Sequence, residues 1–566
     1  MRPRNGSTGR RDLRTWRDPA FAAFKWDPSM LEQLSEALAA PDSTGGAPVA
    51  LRRPTARWFY AASPCLLALL LVGSPIAARG LGGDWPVGVS LWFAAVAVWF
   101  AAEWREARDV ERPGSFAVVA AMMGASFFSV AWIAQPFTTE HHGLAWDGMS
   151  YWRMFNAFNG IALGPVTAPF GQRIGLPLFA TFLPGRPVVA FLTLAMLSWV
   201  AGLAALGYTL RAHFRLSGPW IVATVAWACI FYASPDRYGI FGPFSVDAPA
   251  FAILCGFLAL ARSRRLTSGG QVAFGVIAGL FGALFKETAL MWATFGFVGH
   301  AWVVFRASAT SDDSDAGAQA GALRRGSVRL AASVVDRRTR PWLGLTLGAA
   351  AGLALAQIPF GASAGVSNAH ALIYWLHWRL EHPLDFVRIV VAWTLALAPF
   401  LALAFSQLWL RMAHKWPSVA DVELAEASKG SETAHVPGLI GVDRGLWIAL
   451  GLWVFVSAFS GLDLTRFAFS ALPLAAPLII RAVSETRASI AALSFALTLP
   501  IARPWSVVPS PTVALDAPPM GWKLDGLTSW FAEYAHPVWL LAWMIGAMAA
   551  GALIAWRRTR SDCDPT

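Results

Sequence analysis

The chain has 566 residues, of which 56% are hydrophobic and 14% are charged, and its formal net charge at pH 7 is +11. A soluble chain of this length would form several domains, but apolar runs of membrane-spanning length recur from about residue 58 to residue 556. These runs exclude an ordinary soluble enzyme. In a soluble protein the positive charge would suggest nucleic-acid binding, but arginines in cytoplasmic loops explain it better here, and we expect no nucleic-acid partner.

The apolar runs predict an all-α fold, a polytopic transmembrane helix bundle of about fourteen helices with short interfacial helices in the outer loops. We expect residues 1–57, which are polar and arginine-rich, to form a cytoplasmic tail without a secretory signal peptide. Residues 58–556 would form the transmembrane domain and residues 557–566 a second cytoplasmic tail. The predicted spans are 58–78, 85–102, 115–136, 188–210, 219–234, 247–261, 271–285, 288–305, 342–360, 387–410, 445–461, 467–481, 489–502 and 538–556.

The distribution of lysine and arginine predicts the orientation of these spans. If the amino terminus lies inside and every span crosses, 34 of the 45 basic residues fall on the cytoplasmic side. Basic residues are enriched in cytoplasmic loops, so we expect both termini in the cytoplasm. The long outer loops are then 137–187, 361–386 and 503–537, and shorter outer segments lie at 235–246 and 462–466.

The first long outer loop contains a dense group of aromatic and charged residues. Asp147 and Tyr151 are four residues apart, so they share one face if the segment is helical. Trp146 and Trp152 are typical of the membrane–water boundary. We interpret Asp147 as a catalytic carboxylate facing an outer cavity, with Tyr151 and Arg153 as substrate-binding candidates. The structural alternative is an interfacial acid that is satisfied by Arg153 or by the backbone.

Five more ionisable residues at predicted outer helix ends are candidates for substrate binding. Arg173 and Lys286 suit a phosphate oxygen, although an arginine can also snorkel to lipid headgroups and a tight turn such as Lys286-Glu287 needs polar residues in any case. Asp247 opens a predicted helix, where a carboxylate is favoured electrostatically. Arg466 either binds a phosphate or pairs with the acid three residues before it. We expect Arg173, Lys286 and Arg466 to share one outer cavity with the catalytic acid of the first loop.

Two further polar groups favour structural interpretations. Asp236 and Arg237 are neighbours in a predicted outer loop, where we expect a pair of little consequence. A histidine-rich stretch near the second long outer loop matches no compact metal motif, and an aromatic helix at the interface is the better interpretation. We therefore expect no cofactor, and the sequence leaves a need for a divalent metal open. That stretch contains His370, His377, Glu381, His382 and Asp385.

The order of these features resembles the C-type superfamily of polytopic membrane glycosyltransferases, which use polyprenyl-phosphate sugars. The acidic loop follows the third predicted span here, whereas it follows the first span in many members of that superfamily. Four features carry the resemblance: the outer-loop Trp146-Asp147-Gly148-Met149-Ser150-Tyr151, then Pro169-Phe170-Gly171-Gln172-Arg173-Ile174-Gly175-Leu176-Pro177, then Asp247 with Lys286-Glu287-Thr288, and last Asp463-Leu464-Thr465-Arg466 before a proline-containing helix.

The resemblance implies a function, a location and partners. A sugar would pass from a polyprenyl-phosphate donor to an unknown glycan, lipid or protein acceptor at the outer face of a bacterial cytoplasmic membrane, among membrane lipids. The loop carboxylate would act as general base, and basic residues would hold the departing lipid phosphate.

Two other classes of function are alternatives to the glycosyltransferase. A transporter or flippase for lipids or polysaccharide precursors would also need many helices, but a transporter usually binds its substrate near the membrane midplane. Among the predicted spans, His300 is the ionisable residue that comes nearest to such a position. A non-catalytic membrane protein is the third class, and it predicts that Asp147→Asn has no effect.

Overall fold

Helices account for all regular secondary structure in the described part of the chain. The chain divides into two units, residues 1–59 and residues 60–566. The first helix begins at Pro54 in the first unit, and all other described helices lie in the second unit. The predicted span 538–556 and the acids Asp147 and Asp463 lie outside the described residues. The computed structural model describes residues 54–80, 85–105, 113–134, 148–161, 166, 170–242, 244–261, 266–310, 334, 336–359, 368–404, 438–457, 464–483, 488–502 and 504.

The helices are numbered here in chain order. A short 3-10 turn, Phe170–Gln172, lies between α4 and α5. The helices are α1 (Pro54–Gly80), α2 (Trp85–Arg105), α3 (Pro113–Ala134), α4 (Gly148–Phe158), α5 (Gly175–Ala180), α6 (Pro187–Ala212), α7 (Gly218–Ile230), α8 (Pro235–Phe241), α9 (Asp247–Ala261), α10 (Ser268–Phe285), α11 (Thr288–Thr310), α12 (Arg340–Ala356), α13 (Asn368–Glu381), α14 (Leu384–Ala396), α15 (Gly438–Val456), α16 (Leu464–Phe469), α17 (Leu472–Val483) and α18 (Ala488–Ala502).

Helices occur at every predicted span within the described residues. This pattern is that of a multi-pass, membrane-embedded helical protein, whereas the count of fourteen crossings stays a prediction. Within the described residues, six segments are long and apolar enough to cross a membrane: Trp85–Glu103, Pro113–Ala134, Pro187–Ala212, Gly218–Arg237, Ser268–Phe285 and Thr288–Arg306.

The helices differ in extent from several predicted spans; within the run 387–410, for example, α14 ends at Ala396. The run 467–481 was expected to be one helix, but it divides into α16 and α17. The break follows from Pro473, which lacks an N–H and whose ring clashes with the carbonyl four residues earlier, that of Phe469. Phe469 is the last residue of α16. The run 219–234 ends early, at Ile230, and α8 begins within the predicted outer segment.

Helix α7 is the most enclosed helix of the described bundle, because all of its residues are buried. An all-round apolar sequence is typical of such a central helix. The indole of Trp227 donates from Nε1 to the Ala396 carbonyl at 2.8 Å and ties α7 to α14. The segment after α7 leads to Ala233 and Pro235, which line the cavity described below.

Glycines bring the backbones of α10 and α12 into direct contact. A Cβ at Gly279 would overlap the Leu345 carbonyl oxygen, and a Cβ at Gly348 would overlap the Val276 carbonyl oxygen. Small residues four apart are the usual means by which transmembrane helices approach closely. This contact holds α10 in place against α12, and Lys286 directly follows the carboxyl end of α10.

Candidate functional site

A small cavity lies where the ends of several helices meet. Asp247, Lys286 and Arg466 form its polar side, and Phe251 and Trp292 contribute to its apolar side. The cavity measures about 20 Å³, which is room for about one water molecule. Binding of a larger ligand therefore requires the surrounding side chains to move.

Asp247 holds two cations that come from distant parts of the sequence. Its Oδ1 accepts a hydrogen bond from Lys286 Nζ, and its Oδ2 accepts from Arg466 Nη2 and, at 2.8 Å, from Arg466 Nε. The three side chains are only 13–16% exposed. Asp247 is also the first residue of α9, where a negative charge is favoured. The helix-end interpretation is thus correct but incomplete, because the carboxylate also joins α9 to two other segments.

Glu287 and Arg173 form a second ion pair beside the first. Arg173 donates from Nε to Oε2 at 2.7 Å and from Nη2 to Oε1 at 2.6 Å, a bidentate arrangement. Its Nη1 donates to the Tyr151 hydroxyl at 3.4 Å. Burial opposes ionisation of Glu287, but the adjacent Arg173 guanidinium outweighs that effect and lowers the pKa of the carboxyl below its usual value.

The two ion pairs belong to one network because Lys286 and Glu287 are consecutive. Helix α10 ends at Phe285, where the backbone of Lys286 becomes extended, and α11 begins at Thr288. The Lys286 N–H still bonds to the Gly282 carbonyl at 2.8 Å, which fixes the turn to α10. Because the turn has two residues, the ammonium reaches Asp247 while the neighbouring carboxylate reaches the other arginine.

Among the described residues, the ion pairs of this network join three cations, Arg173, Lys286 and Arg466, to two carboxylates, Asp247 and Glu287. Electrostatic interactions are stronger here than in water because solvent is partly excluded. Cations held in such a site are suited to contact an anionic group such as a phosphate.

Helix α4 contributes one of its two candidate residues to the network. Tyr151 is 1% exposed and stacks on Phe244 with ring centroids 6.3 Å apart. Arg153, two residues on and thus roughly 200° around the helix, is exposed instead. The structure therefore does not bring Arg153 to the cavity. Asp147 lies outside the described residues, but Gly148, to which it is joined, is buried and packs against Phe244.

Sequence reasoning overlooked two residues next to Asp247. Ser245 donates from Oγ to Asp247 Oδ2 at 3.1 Å, and Phe244 packs against α4. A serine two residues before a helix start is a common local partner of the first-turn backbone, and that signal was visible. The role of Phe244 depends on tertiary contacts and gives no local signal.

The expectation for Asp236 and Arg237 was wrong, because both are fully buried. Asp236 Oδ1 accepts from Ser234 Oγ and, at 2.8 Å, from the Arg237 N–H. Arg237 Nη1 donates to the carbonyls of Ile230 at 2.7 Å and Ala502 at 2.8 Å, and its guanidinium lies over the Trp85 ring. These contacts join α7, α18 and α2 behind the cavity. In sequence, a polar dipeptide after a proline resembles a loop. Here the two residues are buried and hold neighbouring helices together through hydrogen bonds.

The histidine-rich stretch covers helix α13, the turn after it and the start of α14, which contains Asp385. His377 Nε2 lies 3.1 Å from Glu381 Oε1 in an exposed pair, and the His382 ring stacks on Trp378 with ring centroids 4.1 Å apart. Among the described residues no group of His, Cys, Asp or Glu could hold a metal ion. The side chains of His370 and Asp385 lie outside the described part.

His300 is buried within α11. Its Nδ1 lies 2.8 Å from the Gly296 carbonyl of the same helix, and its ring stacks on Trp342 at 5.4 Å. These contacts are those of a structural side chain packed between helices.

No protein-family model matches this chain, and neither a curated protein nor a solved structure matches it. The case for a function therefore rests on the residues and their geometry.

Proposed function

We propose that the chain is a membrane glycosyltransferase that moves a sugar from a polyprenyl-phosphate donor to an acceptor at the outer face of the cytoplasmic membrane. The observation that carries this proposal is the convergence of Lys286 and Arg466, from distant parts of the sequence, on one partly buried cavity with an aromatic wall. The motif order described above supports it as well.

Lys286 and Arg466 have the chemistry needed to hold the donor phosphate. Both already bind carboxylate oxygens of Asp247, and phosphate oxygens accept the same charge-assisted hydrogen bonds. As the bond between the sugar and the phosphate breaks, negative charge accumulates on the phosphate. Cations fixed in a site of low exposure stabilise that charge more than they would in water.

Asp147 is the proposed general base. As the acceptor oxygen attacks the anomeric carbon, the carboxylate takes the hydroxyl proton and the lipid phosphate leaves with the electron pair of the broken bond. The neighbouring Gly148 packs on Phe244, the ring that also stacks on Tyr151. We expect the base to lie near the phosphate-binding cations. The acceptor is a glycan, lipid or protein hydroxyl.

A transfer assay with purified protein in nanodiscs tests the proposal. The donor is a labelled polyprenyl-phosphate sugar, and a membrane extract supplies the acceptor. Asp147→Asn should lower turnover about 10²–10⁴-fold, the usual contribution of a general base, and should keep donor binding. Lys286→Ala and Arg466→Ala should weaken donor binding.

Arg79→Ala is the matched control, because Arg79 is an exposed arginine at the end of α1. It should leave both donor binding and turnover unchanged. Equal transfer by wild type and Asp147→Asn would remove Asp147 as the base, and Asp247 and Glu287 would be the next acids to test. Absence of transfer and of donor binding in the wild type would contradict the proposed function itself.

A further inference from the structure

The contacts of Arg173 differ from those of the other two cations in the network. Each of its three guanidinium nitrogens has a partner: Nε and Nη2 bond to the two oxygens of Glu287, and Nη1 bonds to the Tyr151 hydroxyl. The guanidinium also lies 5.7 Å from the centroid of the Phe170 ring. Arg173 is absent from the cavity lining, which does contain Lys286 and Arg466.

The segment around Arg173 docks onto the carboxyl end of α10. A Cβ at Gly175 would come within 3.0 Å of the Leu284 backbone and of the Phe285 ring. Phe179 of α5 stacks on Phe285 with ring centroids 5.6 Å apart. The ion pair and these apolar contacts thus join the same two segments, the loop before α5 and the turn that carries Lys286.

We propose that Arg173 and Glu287 form a positioning pair that sets the Lys286 ammonium and the α4 segment around the cavity, and that Arg173 does not itself bind the donor phosphate. This inference rests on the proposed function only for the name of the ligand. The planar fork of an arginine spans both carboxylate oxygens and fixes the orientation of the acid. Glu287 and Lys286 are consecutive residues of one short turn. An acid held in one orientation therefore also restricts where the lysine side chain can lie.

Two substitutions distinguish a positioning pair from a phosphate ligand. Arg173→Lys keeps the charge but replaces the fork by a single ammonium. A phosphate contact made through charge alone would survive this change, whereas a bidentate pair would not. The double variant Arg173→Glu/Glu287→Arg reverses the pair. It should restore much of the function lost in either single variant if pairing is what matters, but an acid at position 173 cannot bind phosphate.

The first readout is the rate at which an amine-reactive reagent acylates Lys286, measured by mass spectrometry. It needs no donor. In the wild type the ammonium is bound to Asp247 and is 14% exposed, so the reaction should be slow. Glu287→Ala and Arg173→Lys should raise the rate about ten-fold, the change that a moderate coupling between network neighbours gives, and the reversed pair should bring it back.

The second readout is binding of an undecaprenyl phosphate probe to the protein in nanodiscs. Misplacement of a binding group by about 1 Å can cost about 100-fold, and the single variants should approach that loss while the reversed pair recovers most of it. Glu381→Ala is the matched control, because it removes the acid of the exposed pair His377–Glu381. It should change neither readout.

The outcomes separate the two proposals. If the wild type does not bind the probe, the proposed function fails, and the acylation rates still decide whether the pair positions Lys286. If Arg173→Lys behaves as wild type in both readouts, the proposal of a positioning pair is wrong. It is also wrong if the reversed pair restores neither the slow acylation nor the binding of the probe. Glu287→Gln keeps the size of the side chain and replaces Glu287→Ala should that variant fail to fold.

Discussion

Removal of Asp247 should destabilise the protein more than removal of either cation that it binds. Asp247→Ala leaves Lys286 and Arg466 facing each other without their shared acid, at 14% and 16% side-chain exposure. Breaking a buried ion pair by deleting one partner typically costs about 3–5 kcal/mol. Because two cations lose their shared acid at once, we expect the upper part of that range.

Loss of one cation should cost less because the other remains. In Lys286→Ala, Asp247 still accepts two hydrogen bonds from Arg466 and one from Ser245. We therefore expect the lower end of the range, about 3 kcal/mol or less. The double variant Asp247→Ala/Lys286→Ala should be less than additive, since removing the lysine relieves the repulsion between the cations.

Equilibrium unfolding by SDS in mixed micelles measures these differences, and the 29 tryptophans give the fluorescence signal. Glu381→Ala is the control, because both side chains of its ion pair are more than half exposed and such a pair contributes at most about 1 kcal/mol. A smaller loss for Asp247→Ala than for Lys286→Ala would refute the reasoning, as would strict additivity in the double variant.

Three further predictions concern acid stability, helix packing and topology. The pKa of Glu287 is lowered in the folded protein. The ionised carboxylate should therefore stabilise the fold fully above the ordinary glutamate pKa of about 4.3, and this stabilisation should be lost as the pH falls through the lowered pKa. In Glu287→Gln, the free energy of unfolding measured at different pH values should change less over that range. Gly279→Ala, whose Cβ would overlap a backbone oxygen, should cost about 1–3 kcal/mol, and Gly73→Ala, with open space around it, should be neutral in the same assay. With the native cysteines replaced, Arg186→Cys should react with an impermeant thiol reagent added outside, but Ala320→Cys should not; the reverse would invert the topology.

The sequence was sufficient to place the charged residues at helix ends but not to pair them. Hydropathy located the turn with Lys286 and Glu287 between two apolar runs, and the predicted topology placed Arg173 and Arg466 on the outer side. Which acid meets which base depends on how distant segments pack, and pairing between side chains 39 to 219 residues apart leaves no local pattern. The break at Pro473 was not predicted either, because Pro477, which has the same stereochemistry, lies inside α17.

The burial of Asp236 and Arg237 shows a different limit of sequence reasoning. Window-averaged hydropathy places two adjacent charges outside the membrane. Here backbone carbonyls at Ile230 and Ala502 accept hydrogen bonds from the guanidinium, and the Trp85 ring packs against it. Such compensation comes from three separate helices, so only the assembled bundle reveals it.

A structure of the protein with a bound polyprenyl-phosphate sugar tests the central claim most directly. The account predicts that phosphate oxygens lie within about 3 Å of Lys286 Nζ and of the Arg466 guanidinium, with Arg173 still paired to Glu287. A phosphate bound elsewhere, with Lys286 and Arg466 both still held by Asp247, would contradict it.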